Sequence, residues 1–567
     1  MPPSRRPLLL GFGCVALGIA LLFGTACKPK ARAQVSTPLP FTGQLLELEG
    51  VQAVYSLRHP KLILGDLDKL MAAVPEAGML RMVLPQLTPY GYPEFSELAL
   101  EANIGVALLA LDPAELKAPK PTFVGFAQLK PDGKIAKALL QAGLVLEVRG
   151  EWTWIAKDAS AFAKIKSPDT LLSYVNRPQT AELLAWGRAT PALLNRAKEL
   201  LWPKLEAQLV KRAPAEQKAA AAYYDILWSY LAQLHSGGAA LDFNEQGIAL
   251  EYSAQFLPDS AIGTLARYPV GPTPQVAAFV SADAFMSGVV RQNMTGLNAF
   301  VGGFLDEVSA VNFPPLADDL QLLKASYFAY ADQTDGGAVI TLDMAVPEAK
   351  KPPVLSMFAV QTGDFTPATV NALYRDSIGF SKRFNRGLFS ALAVLAPASP
   401  LPEIKQELKE NALTVDGLSF GTVTTTTTLD GQTSTQIQYY GVVDGNLVYG
   451  VNEDTLRQKL PALRVAKPLP DAVPASFQES EMLIASISGA KIVDMVGNTV
   501  GANLADPDVS ARLASLKKGY TQAGPVRMTV STRQAEIGAK IFIPYGFIAQ
   551  SVQLGQFASA QRKPARP

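Results

Sequence analysis

A unit of strand, tight turn, strand and short helix occurs twice in this chain, near residues 150 and 445. Such repetition restricts the fold to one built from related parts. The first copy has strands at residues 144–148 and 152–156 around Arg149-Gly150-Glu151, then a helix over 158–165. The second has strands at 437–443 and 447–451 around Asp444-Gly445-Asn446, then a helix over 453–460. Setting Gly150 on Gly445 brings Trp152 onto Leu447, Trp154 onto Tyr449 and Ile165 onto Leu460 without a gap.

Further matches keep the same order. A strand at 171–175 before a helix through Leu183 parallels a strand at 483–487 before a helix through Met495. A hairpin ending Gln255-Phe256-Leu257-Pro258 parallels one ending Ile541-Phe542-Ile543-Pro544, and residues 64–70 parallel 280–286, each a strand entering a helix with Asp near its cap. The expected fold is α+β: two related halves, each an antiparallel β-sheet with packed helices. The halves are placed at residues 43–268 and 275–557, with a junction where Pro269, Gly271, Pro272 and Pro274 cluster.

Each half has a feature of its own. The first carries a helical insertion near residues 180–235, punctuated by Pro191, Pro203 and Pro214. The second carries a meander with evenly spaced Asp-Gly turns at Asp416, Asp430 and Asp444, since Asp-Gly tolerates the positive φ angles of a tight hairpin. Its Thr-rich strand, Thr424 to Thr428, reads as an exposed β-branched face.

The counts of a few residue types exclude whole classes of chemistry. Both cysteines, Cys14 and Cys27, precede the body of the chain, so internal disulfides, core thiol nucleophiles and cysteine metal sites are ruled out there. Two histidines, His59 and His235, are too few for a histidine-rich metal centre, and no metal or cofactor is expected. Lys plus Arg (51) nearly cancels Asp plus Glu (50), so no net field gathers nucleic acid.

The N-terminus reads as a targeting segment over residues 1–27. Arg5 and Arg6 precede an apolar run through Leu8, Leu9, Leu10, Val15, Leu17, Ile19, Leu21, Leu22 and Phe23, the basic and apolar regions of a signal peptide. Gly24-Thr25-Ala26-Cys27 resembles the lipobox of bacterial exported lipoproteins, which implies that Cys27 is the lipidated first residue of the mature protein. The resemblance covers only this segment. Ala31-Arg32-Ala33 is a rival site that frees a soluble protein beginning at Gln34, and an uncut anchor is a third alternative. Ser4-Arg5-Arg6-Pro7-Leu8-Leu9 also resembles a twin-arginine export signal. Residues 28–42 read as a flexible tether and residues 558–567 as a disordered basic tail.

Motifs with catalytic letters stand in the wrong context. Ser488-Gly-Ala-Lys491 and Ser515-Leu-Lys-Lys518 fit the Ser-x-x-Lys pattern of penicillin-binding proteins, but no Lys-Thr-Gly motif follows either. Gly417-Leu-Ser419-Phe-Gly421 has the letters of a nucleophile elbow, yet a Thr-rich strand follows where a helix is needed. His235, before Ser236-Gly237-Gly238, reads as a helix C-terminal residue. The acidic pairs Asp66 with Asp68, Asp318 with Asp319 and Asp506 with Asp508 read as turns and caps.

No catalytic residue is therefore assigned. The expected function is that of an exported cell-envelope protein, a non-enzymatic binding or structural lipoprotein held to a membrane through Cys27, on the periplasmic face. The alternative is an envelope hydrolase using paired carboxylates on a glycan. The partner is expected to be an envelope protein or a small apolar ligand. The candidate ligand-binding residues are Tyr223, Tyr224, Trp228 and Tyr230, on the most aromatic helix of the chain, because their rings supply apolar area with a polar tip.

Overall fold

The computed structural model describes residues 49–57, 104–109, 122–166, 168–175, 183–210, 214–243, 246–267, 284–310, 314–345, 354–395, 403–429, 431–465, 481–499, 506–533 and 535–562. The expected targeting segment with Cys27, the expected tether, His59, Asp66 and Asp68, the proline-rich stretch 269–274 and residues 563–567 lie outside them.

In chain order the first half begins with β1 (Val51–Leu57), β2 (Ile104–Leu109), β3 (Phe123–Ala127) and α1 (Lys134–Gln141). A hairpin, β4 (Val145–Arg149) and β5 (Trp152–Ala156), leads into α2 (Ser160–Lys164) and α3 (Pro168–Val175). Then come β6 (Leu183–Arg188), α4 (Pro191–Leu209), α5 (Pro214–Leu231), β7 (Leu234–Phe243), β8 (Gly247–Phe256) and α6 (Ala261–Arg267).

The second half begins with β9 (Met286–Arg291), α7 (Met294–Ala310), α8 (Pro314–Ala331), β10 (Thr334–Ala345), β11 (Val354–Gly363) and α9 (Pro367–Leu395). Its meander is β12 (Glu403–Val415), β13 (Leu418–Leu429), β14 (Gln432–Val443) and β15 (Asn446–Gly450), followed by α10 (Glu453–Val465). It closes with β16 (Glu481–Ile487), α11 (Gly489–Thr499), α12 (Pro507–Ala523), β17 (Val526–Arg533), β18 (Glu536–Pro544) and α13 (Tyr545–Arg562).

These strands do not form two sheets, as the sequence led us to expect, but one antiparallel sheet of 18 strands. The ladders run β4-β5-β3-β2-β1-β6-β7-β8-β18-β17-β16-β9-β10-β11-β15-β14-β13-β12. The two segments meet at β8 and β18 in a ladder of nine residue pairs, from Gly247 opposite Pro544 to Gln255 opposite Glu536. The physical reason is the edge. A half ending in β8 or β18 would expose a row of unpaired N–H and C=O groups, and pairing the two strands removes both rows.

The strand order reads alike outward from this junction. Strand, helix pair, two strands and a helix recur as β6-α4-α5-β7-β8-α6, β9-α7-α8-β10-β11-α9 and β16-α11-α12-β17-β18-α13. The segment β1, β2, β3 and α1 has the same order of three strands and a helix, with the residues between β1 and β2 outside those described. The helices near residues 180–235 are accordingly no insertion. They occupy the place that α7 with α8, and α11 with α12, occupy elsewhere, and Pro191 and Pro214 each open a helix where a missing N–H costs nothing. The expected strand at 171–175 is the end of α3, and the strand itself is β6.

Repeated backbone details support the correspondence. The N–H of Leu257 donates to the carbonyl of Gln233 at 2.8 Å, and that of Asp364 to the carbonyl of Gln333 at 2.7 Å. In both places the end of the third strand is tied to the end of the helix pair. The side-chain oxygens of the same glutamines accept from Ile262 N and Thr366 N, each at 3.1 Å, at the start of the closing helix.

Alternation along the strands divides the core between two faces. On one face Val54, Val124, Phe126, Trp152 and Trp154 pack with Phe162 of α2 and Leu171 of α3. On the same face of the second half Phe358, Val360, Phe420 and Val448 pack with Leu456 and Leu460 of α10. The other face, covered by longer helices, buries Tyr330, Val370, Ile378, Val423, Tyr440 and Leu447. Further along it α11, α12 and α13 bring Val493, Leu513, Leu516, Tyr520 and Phe557 together. Asp506 caps α12, its carboxylate accepting from Asp508 N at 2.9 Å.

Candidate functional site

The aromatic residues of α5 divide between two neighbours. The Tyr224 ring lies 5.9 Å from Trp228, nearly parallel to it, and 5.2 Å from Trp202 of α4. Tyr230 points elsewhere, packing against Phe300 and Phe304 of α7 at 5.8 and 6.0 Å. The side chain of Tyr223 lies outside the described residues. Ile226 joins Leu305, Val308, Leu320 and Phe380, and Ser229 donates to Glu307 of α7 at 3.2 Å. Helix α5 thus serves as packing between the first half and α7 and α9 of the second, and Tyr224 with Trp228 is brought together while Tyr230 is not. Burial and the nearby Glu307 carboxylate push the Tyr230 hydroxyl up to about 12, so it stays protonated.

The residues with catalytic letters are placed apart from one another. Ser419, on β13, donates to Asn411 of β12 at 2.7 Å and is followed by more strand. Ser488 and Lys491 stand at the start of α11, Ser515 and Lys518 within α12. His235 belongs to β7 rather than to a helix end, and burial with the positive charge of Arg188 lowers its pKa. Among the described residues no group of three or more His, Cys, Asp or Glu side chains is arranged to hold a metal ion.

A small apolar cavity lies on the long-helix face of the second half, walled by Ala338, Ala359, Gln361, Tyr374, Leu447 and Tyr449. Tyr330 donates to Gln361, Gln361 donates in turn to Thr334 at 2.9 Å, and Gln438 donates to Tyr374 at 3.3 Å. Tyr374 stacks on Tyr440 with centroids 4.1 Å apart. Burial raises the hydroxyls of Tyr330 and Tyr374 far above the usual tyrosine range. These hydrogen-bonded rings fill the space beneath α9.

At the junction Lys540 of β18 pairs with Glu251 directly opposite on β8, with side chains 28% and 13% exposed. This ion pair spans the two halves and was not foreseen in the sequence, because neither strand identifies the other as its neighbour.

The most exposed part of the sheet is the outer portion of β12, β13 and β14. The hairpin β4–β5 holds the place in the first half that β14–β15 holds in the second, so β12 and β13 have no counterpart. Their turn is of the expected chemistry, with Asp416 and Gly417 at φ +50° and +79°. Register places Glu403, Lys405, Glu407 and Lys409 of β12 on one face with Thr428, Thr426, Thr424 and Thr422 of β13. The same face continues into Thr433, Thr435, Ile437 and Tyr439 of β14. Thr428 and Thr433 hydroxyls meet at 3.1 Å. The opposite face lies under α9, where Ser381 donates to Gln406 at 2.7 Å.

Strand β12 ends the sheet, and its outer edge carries no strand among the described residues. The four charged side chains of residues 403–409 are all more than three-fifths exposed, with Lys405 beside Glu403 at 3.0 Å and Lys409 beside Glu407 at 3.3 Å. The alternating Glu-x-Lys-x-Glu-x-Lys pattern of 403–409 is the signal in the sequence by which this edge could have been found. The chain matches no protein-family model, no curated protein and no solved structure with which it was compared.

Proposed function

We propose that this is a non-enzymatic protein of the cell envelope, exported and held to a membrane through Cys27, which offers the β12–β14 meander to a protein partner. The observation that carries the reading is the meander itself. It adds strands to a repeated plan, projects a threonine and charged face, and ends in a strand edge that no strand covers among the described residues. Exposed edges are ordinarily covered, kept short, or blunted by charges and bulges; β12 is 13 residues long and runs seven residues, Glu403 to Lys409, before its ladder to β13 is disturbed. The place where a small ligand was expected, beside Trp228 and Tyr230, is taken up by packing between the helices of the two halves, which favours a macromolecular partner over a small apolar one. The basic and apolar N-terminal segment and the lipobox-like Gly24–Cys27 support the envelope location.

One experiment tests both parts. A photo-crosslinking residue is placed at Thr426, on the outer face, or at Thr425, beneath α9, and the protein is irradiated in its own envelope and weighed intact. The reading predicts a discrete protein adduct from position 426 and none from 425, on a chain that begins at acylated Cys27. No adduct from either position contradicts the docking face, and a chain beginning at Gln34 contradicts the anchor.

A further inference from the structure

We infer that the occupant of the β12 edge is β12 of a second copy of this chain, paired antiparallel about Gln406. The inference rests on the reading of the meander as a docking face and names its partner. Residues 403–409 form regular strand, and the ladder to β13 is first disturbed between Lys409 and Leu413, with Asn411 at φ +54°. Seven residues are therefore available in extended register before the bulge twists the edge away.

The charges select the register. In an antiparallel pair, residues on one face must oppose residues on the same face, because a slip of one residue turns every side chain over. Pairing about Gln406 sets Glu403 against Lys409 of the second copy and Lys405 against its Glu407, and the two-fold axis repeats both contacts. All four cross-strand pairs join opposite charges. Pairing about Lys405 or Glu407 instead sets that residue against its own copy and places like charges opposite one another, which is unfavourable. A pairing about Ile404 keeps the charges matched but uses only the first three residues of the strand. One about Leu408 runs into the bulge.

The same register sets Ile404 against Leu408 of the second copy on the face below α9, and Gln406 against itself. The strand is thus self-complementary on both faces. Its edge groups would gain the partners that β8 and β18 give each other at the centre of the sheet. A two-fold contact of this kind closes on itself, so it yields a dimer and no longer fibre. Within one copy Glu403 and Lys405, and Glu407 and Lys409, pair along the strand, at high exposure, where such contacts contribute little. They are free to exchange those partners for cross-strand ones.

The test uses the whole mature protein and two charge-reversed versions. One carries Lys405→Glu with Lys409→Glu, the other Glu403→Lys with Glu407→Lys. All four positions are exposed, so folding is checked by circular dichroism against the parent. Sedimentation and native mass measurement are expected to give a dimer for the parent. Each reversed version alone should dissociate, its association weakened by about 100-fold or more as four favourable pairs become four repulsive ones. Mixed in equal amounts, the two versions should form a heterodimer. A parent that stays monomeric at high micromolar concentration overturns the inference, as does a mixture that fails to associate. Reversed versions that still form homodimers overturn it too. An adduct from Thr426 whose added mass is a different protein keeps the docking reading while removing the second copy. No adduct of any kind removes both.

Discussion

Replacing Gly105 by valine is expected to cost about 3 kcal/mol of stability, the upper end of what overpacking a core commonly costs and a large part of what a folded chain holds in reserve. Gly105 of β2 stands directly opposite Phe126 of β3, and a Cβ at that position would lie 2.2 Å from two atoms of the Phe126 ring. The ring has no exposed surface and packs edge-on against Trp152, centroids 6.1 Å apart, and against Trp154 at 6.3 Å. A valine must expel the phenylalanine from the buried cluster of the first half or push β2 out of its ladders. Urea unfolding measures the effect. A variant within about 0.5 kcal/mol of the parent, the range of neutral surface changes, would mean that the ring does not lie over Gly105. The same device occurs in the second half, where Gly421 opposes Tyr440 and a Cβ at Gly441 would meet the Phe420 ring at 2.6 Å.

Ala539→Pro should be at least as damaging and tests a different element. Ala539 lies in the middle of β18, opposite Tyr252 of β8 on one side and Val530 of β17 on the other. A strand paired on both sides has no free N–H. Proline there removes a ladder bond whichever way the amide points, and it also crowds the neighbouring strand. The expected loss is about 3 kcal/mol or more, read as a fall in the thermal midpoint of the whole protein. Because β8 and β18 belong to opposite halves, both halves should melt earlier. A variant that loosens only the second half would show that the ladder between them carries little stability.

The sequence made parts of this structure legible and concealed others for physical reasons. The turns at Gly150 and Gly445 and the large side chains Trp152, Trp154, Leu447 and Tyr449 could be aligned because tight hairpins demand particular backbone angles and their strands face a core. The helix pairs were harder. Sequences such as 191–231 and 294–331 need only an apolar stripe to pack, so their common place between strands leaves no residue-level mark, and the first pair reads as an insertion. Residues 171–175 read as a strand because a short apolar run has no period of its own, and helix α3 is what results.

The joining of the halves was hidden for a further reason. Strand pairing between Gly247–Phe256 and Glu536–Pro544 spans nearly three hundred residues of chain, and alternation along each strand is the same whether its outer edge is bare or paired. The candidate residues of α5 show the converse limit. Tyr224, Trp228 and Tyr230 share a short segment of sequence, but their spacing turns Tyr230 toward α7 and the others toward α4. The charged edge of β12 was readable in its alternation, although its position at the end of the sheet was not.

Amide hydrogen exchange along β8 and β18 tests the continuous sheet most directly. In an antiparallel strand the N–H groups point alternately to either side, so a strand with one open edge exchanges quickly at every second residue. The structure predicts continuous slow exchange from Ile248 to Gln255 and from Ile537 to Ile543, matching the inner strands β7 and β17. Fast exchange at every second amide of both β8 and β18 would contradict it, and would mean that the two halves fold as separate sheets.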